Sequence, residues 1–164
     1  MVVAENYIAF PPQALFKSPW GFLVQLKDGT FAVTEQQANV ENKNYAITPL
    51  SSDFNNDGYP DLVYANLNDE VKGFMNNGGT ANYLKVKMKD AVNLIGAAVT
   101  INTENSSQTN YNVIGEGLCS DQSNTLIFGL GTLETITSIV IHKTDGTNQT
   151  IEKVAINTTI TIGE

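Results

Sequence analysis

One short stretch, DFNNDGYPDL at residues 53–62, concentrates the side chains best suited to bind a metal ion. Counted from Asp53 as position 1, aspartate or asparagine oxygens fall at positions 1, 3, 5 and 9, and Gly58 falls at position 6. Calcium loops are built in this way, because oxygen ligands alternate, residue 7 adds its backbone carbonyl, and glycine permits a sharp turn. A cation would also relieve the repulsion between the crowded carboxylates. This acidic loop (residues 53–61) therefore predicts a calcium site, and the alternative is a solvated turn with incidental acidic residues.

The residues that follow the acidic loop exclude an EF-hand. An EF-hand needs a bidentate glutamate at position 12, whereas Tyr64 occupies that position here. It also needs flanking helices, but DLVYANL at 61–67 has the composition of a strand. Dockerin loops fail on the same two grounds. The loop is therefore expected to close at position 9 and to run directly into a strand.

No group of residues forms a recognisable catalytic set, so we predict that the protein is not an enzyme. His142 is the only histidine; it ends a predicted strand and is expected to face outward. Cys119 is the only cysteine, cannot form a disulfide within the chain, and is expected to be a small buried apolar residue. GLGTLE at 129–134 has two glycines of a dinucleotide fingerprint, but strands surround it and a β-turn is expected.

Two features keep a carbohydrate-related function open as an alternative. Glycosidases use two carboxylates, and Glu104, Glu116 and Glu134 are available, although the sequence does not show whether any two converge. The segment FPPQALFKSPWGF at 10–22 could present Trp20 to a sugar, but such a segment more often covers a sheet edge. A carbohydrate-binding module or a glycoside hydrolase-associated domain is one alternative, and a structural spacer is another.

Composition narrows the range of partners. The chain has 164 residues and a formal net charge of −8, and all nine basic residues are lysines. Without arginine forks or a basic stripe, a nucleic-acid partner is not expected. No apolar run reaches the roughly 20 residues of a membrane span, and the start MVVAENYIAFPPQ lacks the features of a signal peptide. We expect either an intracellular protein or a part cut from a longer exported one.

Short apolar runs separated by glycine, asparagine and aspartate predict an all-β protein. YLKVKMK at 83–89 alternates, with lysines on one side and apolar residues on the other, which predicts a half-buried or edge strand. KDGT at 27–30 and TDGT at 144–147 predict hairpins with tight primed turns, because Asp-Gly supplies positive φ angles. The other predicted strands are GFLVQL (21–26), TFAVT (30–34), DLVYANL (61–67), VKGFMN (71–76), GAAVTIN (96–102), TNYNVIG (109–115), NTLIFGL (124–130), ITSIVIHK (136–143), QTIEKV (149–154) and TTITIG (158–163).

The glycine- and asparagine-rich segment NNGGTAN at 76–82 predicts a boundary near residue 80, which divides the chain into residues 1–80 and 81–164. In the first part, DFNNDGYPDLVYAN followed by FMNNGG at 74–79 resembles the FG-GAP repeat, the β-propeller blade of integrin alpha chains and many bacterial surface proteins. The stretch matches the repeat core D-x-N-x-D-G-x-x-D-L fully. The resemblance implies a partial propeller blade with a bound calcium ion. The implied ligands are Asp53, Asn55, Asp57, the backbone carbonyl of Tyr59, and Asp61.

The second part is similar to the ASPIC/UnbV domain, which follows FG-GAP repeats in cartilage acidic protein and in bacterial exported proteins. The resemblance implies a β-sandwich or barrel, an extracellular or cell-surface location, and a binding or adhesion role toward a protein or glycan. One departure is IHKTDG, where the family usually has a tryptophan and a proline before the turn. The segments that carry the resemblance are LIGAAVTI (94–101), GEGLCSDQSNTLIFGLG (115–131), ITSIVIHKTDGTNQ (136–149) and INTTITIGE (156–164).

Overall fold

The structure, a computed structural model, describes residues 2–3, 21–89, 92–115, 117–118 and 120–163. These residues form strands and turns and contain no helix, so none is long and apolar enough to cross a membrane. The prediction of an all-β protein is confirmed. The strands are β1 (Val2–Val3), β2 (Gly21–Gln25), β3 (Phe31–Val33), β4 (Ala46–Ser52), β5 (Asp61–Asn66), β6 (Lys72–Phe74), β7 (Asn82–Met88), β8 (Ala98–Asn102), β9 (Ser107–Tyr111), β10 (Thr125–Gly131), β11 (Ser138–His142), β12 (Asn148–Glu152) and β13 (Thr158–Ile162).

The described strands form separate sheets before and after residue 80. The sheets β1-β2-β3 and β4-β5-β6 precede that residue, and the sheets β10-β7-β13 and β12-β11-β8-β9 follow it. Neighbouring strands are antiparallel except β7 and β13, which run parallel with Thr158 opposite Leu84 and Ile162 opposite Met88. The boundary near residue 80 thus lies between two groups of sheets, while the division into two domains stays a prediction.

The two later sheets enclose one apolar core and form a β-sandwich. Because side chains alternate along a strand, Leu84, Val86 and Met88 of β7 point into the same layer, where all three are fully buried. Each such side chain contributes about 1.5–3 kcal/mol by leaving water. The described strands do not close into a barrel, so the sandwich is the form observed. The rest of this core consists of Leu94, Ala97, Val99, Ile101, Phe128, Leu130, Ile136, Ile139, Ile141 and Ile162.

The sheet β4-β5-β6 has a much smaller core. Tyr64 and Ala46 are fully buried, and Phe74 packs its ring edge-on against Tyr64 with centroids 5.7 Å apart. Beside them Asn42 donates a 2.8 Å hydrogen bond to the side-chain oxygen of Asn66. A cluster this small buries little apolar surface, so contacts with the sandwich matter for the stability of this sheet.

Each predicted strand overlaps an observed one, but the sequence missed β1 and β4 and misplaced β9. Pro49 lies within β4 and argues against a strand, yet it is tolerated because β4 is the edge strand of its sheet. The strand predicted at 109–115 is wrong in extent, since β9 ends at Tyr111. The following residue, Asn112, is buried and donates its side-chain amide to the carbonyl of Leu94, which ends the alternation.

Both Asp-Gly hairpins form, but the prediction of primed turns is wrong. In the first hairpin, Gly29 donates to the carbonyl of Leu26, and Leu26 donates to the carbonyl of Thr30. Only the glycine has a positive φ, at 85°, so the loop has three residues and its glycine occupies the left-handed position. The hairpin at Gly146 repeats the same pattern. The aspartate instead accepts hydrogen bonds from the threonine two residues later, which favours this longer turn.

Candidate metal centre

The acidic loop connects the antiparallel strands β4 and β5, and it runs directly into a strand, as its sequence predicted. Ser52 lies opposite Asp61 in the ladder, so the loop begins and ends at neighbouring points. Two residues turn the chain in the left-handed region, Asn56 at φ 61° and Gly58 at φ 93°. Asparagine and glycine are the residues that adopt this region most readily.

The carboxylate of Asp53 lies at the centre of the acidic loop. Its Oδ1 accepts a 3.0 Å hydrogen bond from the backbone N–H of Asp57, and its Oδ2 accepts a 2.9 Å bond from that of Gly58. The chain therefore wraps around this side chain. Backbone donors of this kind stabilise the ionised carboxylate.

Asn55 and Asp57 lie next to Asp53. Oδ1 of Asn55 also accepts from the N–H of Asp57, at 3.2 Å, so it converges with Oδ1 of Asp53 on one backbone group. Nδ2 of Asn55 donates to Oδ2 of Asp57 at 2.9 Å, and Oδ1 of Asp57 accepts from the N–H of Tyr59. The structure thus brings the side chains at positions 1, 3 and 5 together.

Asp61, the predicted ligand at position 9, has a different environment. Its side chain is buried, and its two oxygens accept hydrogen bonds from the N–H groups of Phe54, at 2.8 Å, and Asn76, at 2.7 Å. These bonds close the acidic loop and hold the segment that follows β6. Among the residues described, no three histidine, cysteine or acidic side chains form a metal-binding group.

A cation from the sandwich contacts the acidic loop, and the sequence did not identify it. Nζ of Lys85, in β7, lies 2.7 Å from Oδ2 of Asp53 and 3.3 Å from Oδ1 of Asn56. The side chains of Lys85 and Asp53 are only 8% and 3% exposed. Burial opposes ionisation of Asp53, but the hydrogen bonds from Lys85 and the loop amides, together with the lysine charge, hold the pKa of Asp53 below its usual value.

The position of β7 explains why this lysine is buried. The alternation predicted a half-buried or edge strand, and the edge alternative is wrong, because β7 lies between β10 and β13. On the lysine face of β7, the acidic loop covers Lys85, whereas Lys87 remains exposed to water. A charge is tolerated in this buried position because Asp53 neutralises it.

Gly58 brings the acidic loop into close contact with β7. A Cβ atom added at Gly58 would lie 2.1 Å from Cε1 of Tyr83, much closer than any real contact. Only glycine therefore satisfies both the positive φ and the approach to the ring. The hydroxyl of the next residue, Tyr59, donates to the carbonyl of Ala81 at 2.8 Å.

Further contacts join the β4 strand to the connection before β10. Gln122 accepts from the N–H of Ser51 at 2.9 Å and donates to the carbonyl of Pro49 at 3.1 Å. The hydroxyls of Thr48 and Ser120 are 2.9 Å apart. These bonds and the buried ion pair join the two parts of the chain at separate points.

The oxygen donors of the acidic loop fit a hard cation in part. Asp53, Asn55 and Asp57 are clustered, and a carboxylate oxygen that accepts one hydrogen bond keeps a second lone pair for a metal. Asp61 is buried and, within the described ranges, shares no hydrogen-bond partner with these three residues, and Lys85 already places a positive charge beside Asp53. The residues that would hold calcium are therefore the first three.

The other candidate residues do not form a second site in the described part of the chain. His142 is exposed at the end of β11, as predicted, and its Nδ1 lies 3.0 Å from the side-chain oxygen of Asn148. The turn predicted after β10 is present, with Leu133 donating to the carbonyl of Leu130. Glu104 and Glu134 are exposed, and the segment at 10–20, Glu116 and Cys119 lie outside the described residues.

Comparison with known proteins finds a similarity for most of the sandwich but none for the acidic loop. No curated protein matches the chain. A family model matches the chain from the last residue of β7 onward, so this match does not reach residues 53–79, and the FG-GAP resemblance stays a prediction. Residues 88–164, which include most of the sandwich, match the family model described as ASPIC and UnbV.

Proposed function

We propose that the chain is a calcium-binding, non-enzymatic module of an extracellular or cell-surface protein, in which an FG-GAP-like unit docks onto the ASPIC/UnbV domain. The observation that supports calcium binding most directly is the convergence of Asp53, Asn55 and Asp57 in a loop turned by Gly58. Calcium would supply positive charge there and stiffen the loop.

The negative charge of the acidic loop supports the binding of a metal cation in addition to the ammonium group of Lys85. The loop carries three carboxylates, at Asp53, Asp57 and Asp61, and one ammonium contacts only the first of them. Calcium accepts six to eight oxygen ligands in flexible geometry, so it tolerates an irregular donor set completed by water. Magnesium requires near-ideal octahedral geometry and gives up water reluctantly, so we expect it to bind much more weakly.

The proposed role is binding or adhesion, and the partner is a protein or glycan. The resemblance to exported FG-GAP proteins supports an extracellular setting, where calcium modules bind with dissociation constants of about 10⁻⁴–10⁻³ M. A structural spacer that calcium only stiffens would share the same loop but would have no partner.

Calorimetric titration with calcium and magnesium, together with melting in calcium and in EDTA, tests the metal site. Calcium at a hundredfold excess over its dissociation constant should stabilise the fold by about 2.7 kcal/mol. Asp57→Asn keeps the acceptor for the Tyr59 amide but removes a charge, so it should weaken calcium binding strongly. Glu104→Gln removes one exposed charge elsewhere and is the matched control. Equal melting temperatures in calcium and EDTA, with no heat of binding, would contradict the proposal and show that the loop is only a hydrogen-bonded turn.

A further inference from the structure

A cleft of about 500 Å³ lies where the first part of the chain meets the open side of the sandwich. Ser51 and Pro60, at the ends of β4 and the acidic loop, form one wall. The opposite wall comes from β9 and β10, which are edge strands of the two different sheets. The volume of the cleft lies within the usual range of about 300–1,000 Å³ for small-molecule sites.

The cleft is uncharged, although the chain as a whole has a net charge of −8. Among the described residues that line it, the side chains are apolar, hydroxyl or amide groups. Tyr111 is 61% exposed, and Val113, Leu126 and Ile127 provide apolar surface beside it. An uncharged site of this kind does not favour an anionic or cationic ligand, since a charged group would lose water without gaining a partner.

The polar groups of the cleft divide into those already used and those available. Gln122 is used, because its amide joins Ser51 and Pro49. Nδ2 of Asn110, which also lines the cleft, donates to the carbonyl of Ile127 at 3.3 Å. Within the described residues, the side-chain hydroxyls of Tyr111, Ser51 and Thr125 have no hydrogen-bond partner.

We propose that this cleft binds a neutral carbohydrate, with the ring of Tyr111 packing against the C–H face of one sugar residue. A pyranose has an apolar face and a rim of hydroxyls, and the cleft has an exposed aromatic ring among uncharged donors and acceptors. Because Ser51 and Pro60 form one wall, the cleft exists only when the acidic loop and the end of β4 lie against the sandwich. The inference goes beyond calcium binding and does not require it.

Titration of the full chain with neutral hexasaccharides of glucose, mannose, xylose and galactose, followed by calorimetry and NMR, tests this site. An oligogalacturonate serves as the acidic comparator. At least one neutral oligosaccharide should bind, with amide shifts at Tyr111 and Thr125, and Tyr111→Ala should weaken binding by about tenfold. Phe31→Ala, which removes another exposed ring far along the chain, should leave the affinity unchanged.

The outcomes separate this inference from the calcium proposal. If Asp57→Asn loses calcium binding but still binds the sugar, the result supports the sugar site in the cleft independently of the metal site. The inference is overturned if no neutral oligosaccharide binds at about 10 mM, if binding survives Tyr111→Ala, or if the shifts map outside β9 and β10. Preference for the acidic oligomer, or for an extended peptide along β10, would also overturn it.

Discussion

Nζ of Lys85 lies 2.7 Å from Oδ2 of Asp53, and this buried ion pair joins the acidic loop to β7, the central strand of the sheet β10-β7-β13 in the sandwich. A buried pair contributes little net stability compared with an apolar pair of the same shape, but removal of one partner leaves an unpaired buried charge. Lys85 also supplies at Asp53 part of the positive charge that calcium would supply.

Lys85→Met should therefore destabilise the protein by about 3–5 kcal/mol in EDTA, because Asp53 remains buried without its partner. Calcium should restore part of this stability, and the variant should bind calcium more tightly than the wild type. Denaturant unfolding in EDTA and in calcium measures both effects.

Lys87→Met is the matched control for this substitution. It removes an exposed lysine from the same face of the same strand and should change the free energy of unfolding by less than about 0.5 kcal/mol. The double variant Lys85→Met/Asp53→Asn should be more stable than Lys85→Met alone. Equal effects of the two lysine substitutions would show that the ion pair is not what joins the parts.

Gly58→Ala tests the contact between the acidic loop and Tyr83. The positive φ alone should cost about 1–2 kcal/mol, and the collision with the ring should add about 1–3 kcal/mol. Gly29→Ala isolates the first contribution, since Gly29 also has a positive φ of 85° but has nothing within 4 Å of an added Cβ. Urea unfolding of both variants measures the difference.

A double variant checks that the ring is the cause. In a Tyr83→Ala background, Gly58→Ala should cost about as much as Gly29→Ala, because only the backbone contribution remains. An unchanged cost in that background would mean that Gly58 does not pack on Tyr83.

The sequence predicted local structure better than it predicted contacts between residues far apart in the chain. Alternation and turn residues predicted the strands, and the spacing in the acidic loop predicted a turn at Gly58 and the convergence of Asp53, Asn55 and Asp57. These features depend on residues within a few positions of one another, so the sequence records them directly.

The partner of Asp53 was not predictable in this way. Lys85 lies 32 residues away, and nothing in its strand distinguishes it from the lysine two residues later. Which lysine becomes buried depends on where the loop docks. The hydrogen bond from Asn76 to Asp61 was not predictable for a related reason, because it joins residues 15 positions apart, and the role of Asp61 as a metal ligand stays a prediction. The hairpin turns were misassigned because Asp-Gly suits two turn types, and the threonine that follows decides between them.

Ionisation of Tyr64 at high pH should destabilise the sheet β4-β5-β6. Burial, and to a lesser extent the charge of Glu35, raises the pKa of Tyr64 above its usual value of about 10. A raised folded-state pKa means that this stability is complete below about pH 10 and is lost as the pH rises through the folded-state value. Tyr64→Phe should therefore lose less stability than the wild type between pH 9 and pH 11.5. Tyr111→Phe, at an exposed site, should follow the wild type, and parallel curves for all three proteins would contradict the prediction.

Asp57 and Asp61 should respond differently to metal, because the structure gives their carboxylates different partners. Asp61 accepts two backbone hydrogen bonds in a buried site, so Asp61→Asn should destabilise the protein by about 1.5–3 kcal/mol in EDTA as well as in calcium. Asp57→Asn keeps its backbone bond to Tyr59 and should change stability little in EDTA, but it should lose most of the stabilisation by calcium. Thermal unfolding of both variants with and without calcium separates the two roles. If Asp61→Asn is harmless in EDTA and abolishes the calcium effect, Asp61 is a metal ligand and the hydrogen bonds to Phe54 and Asn76 are secondary.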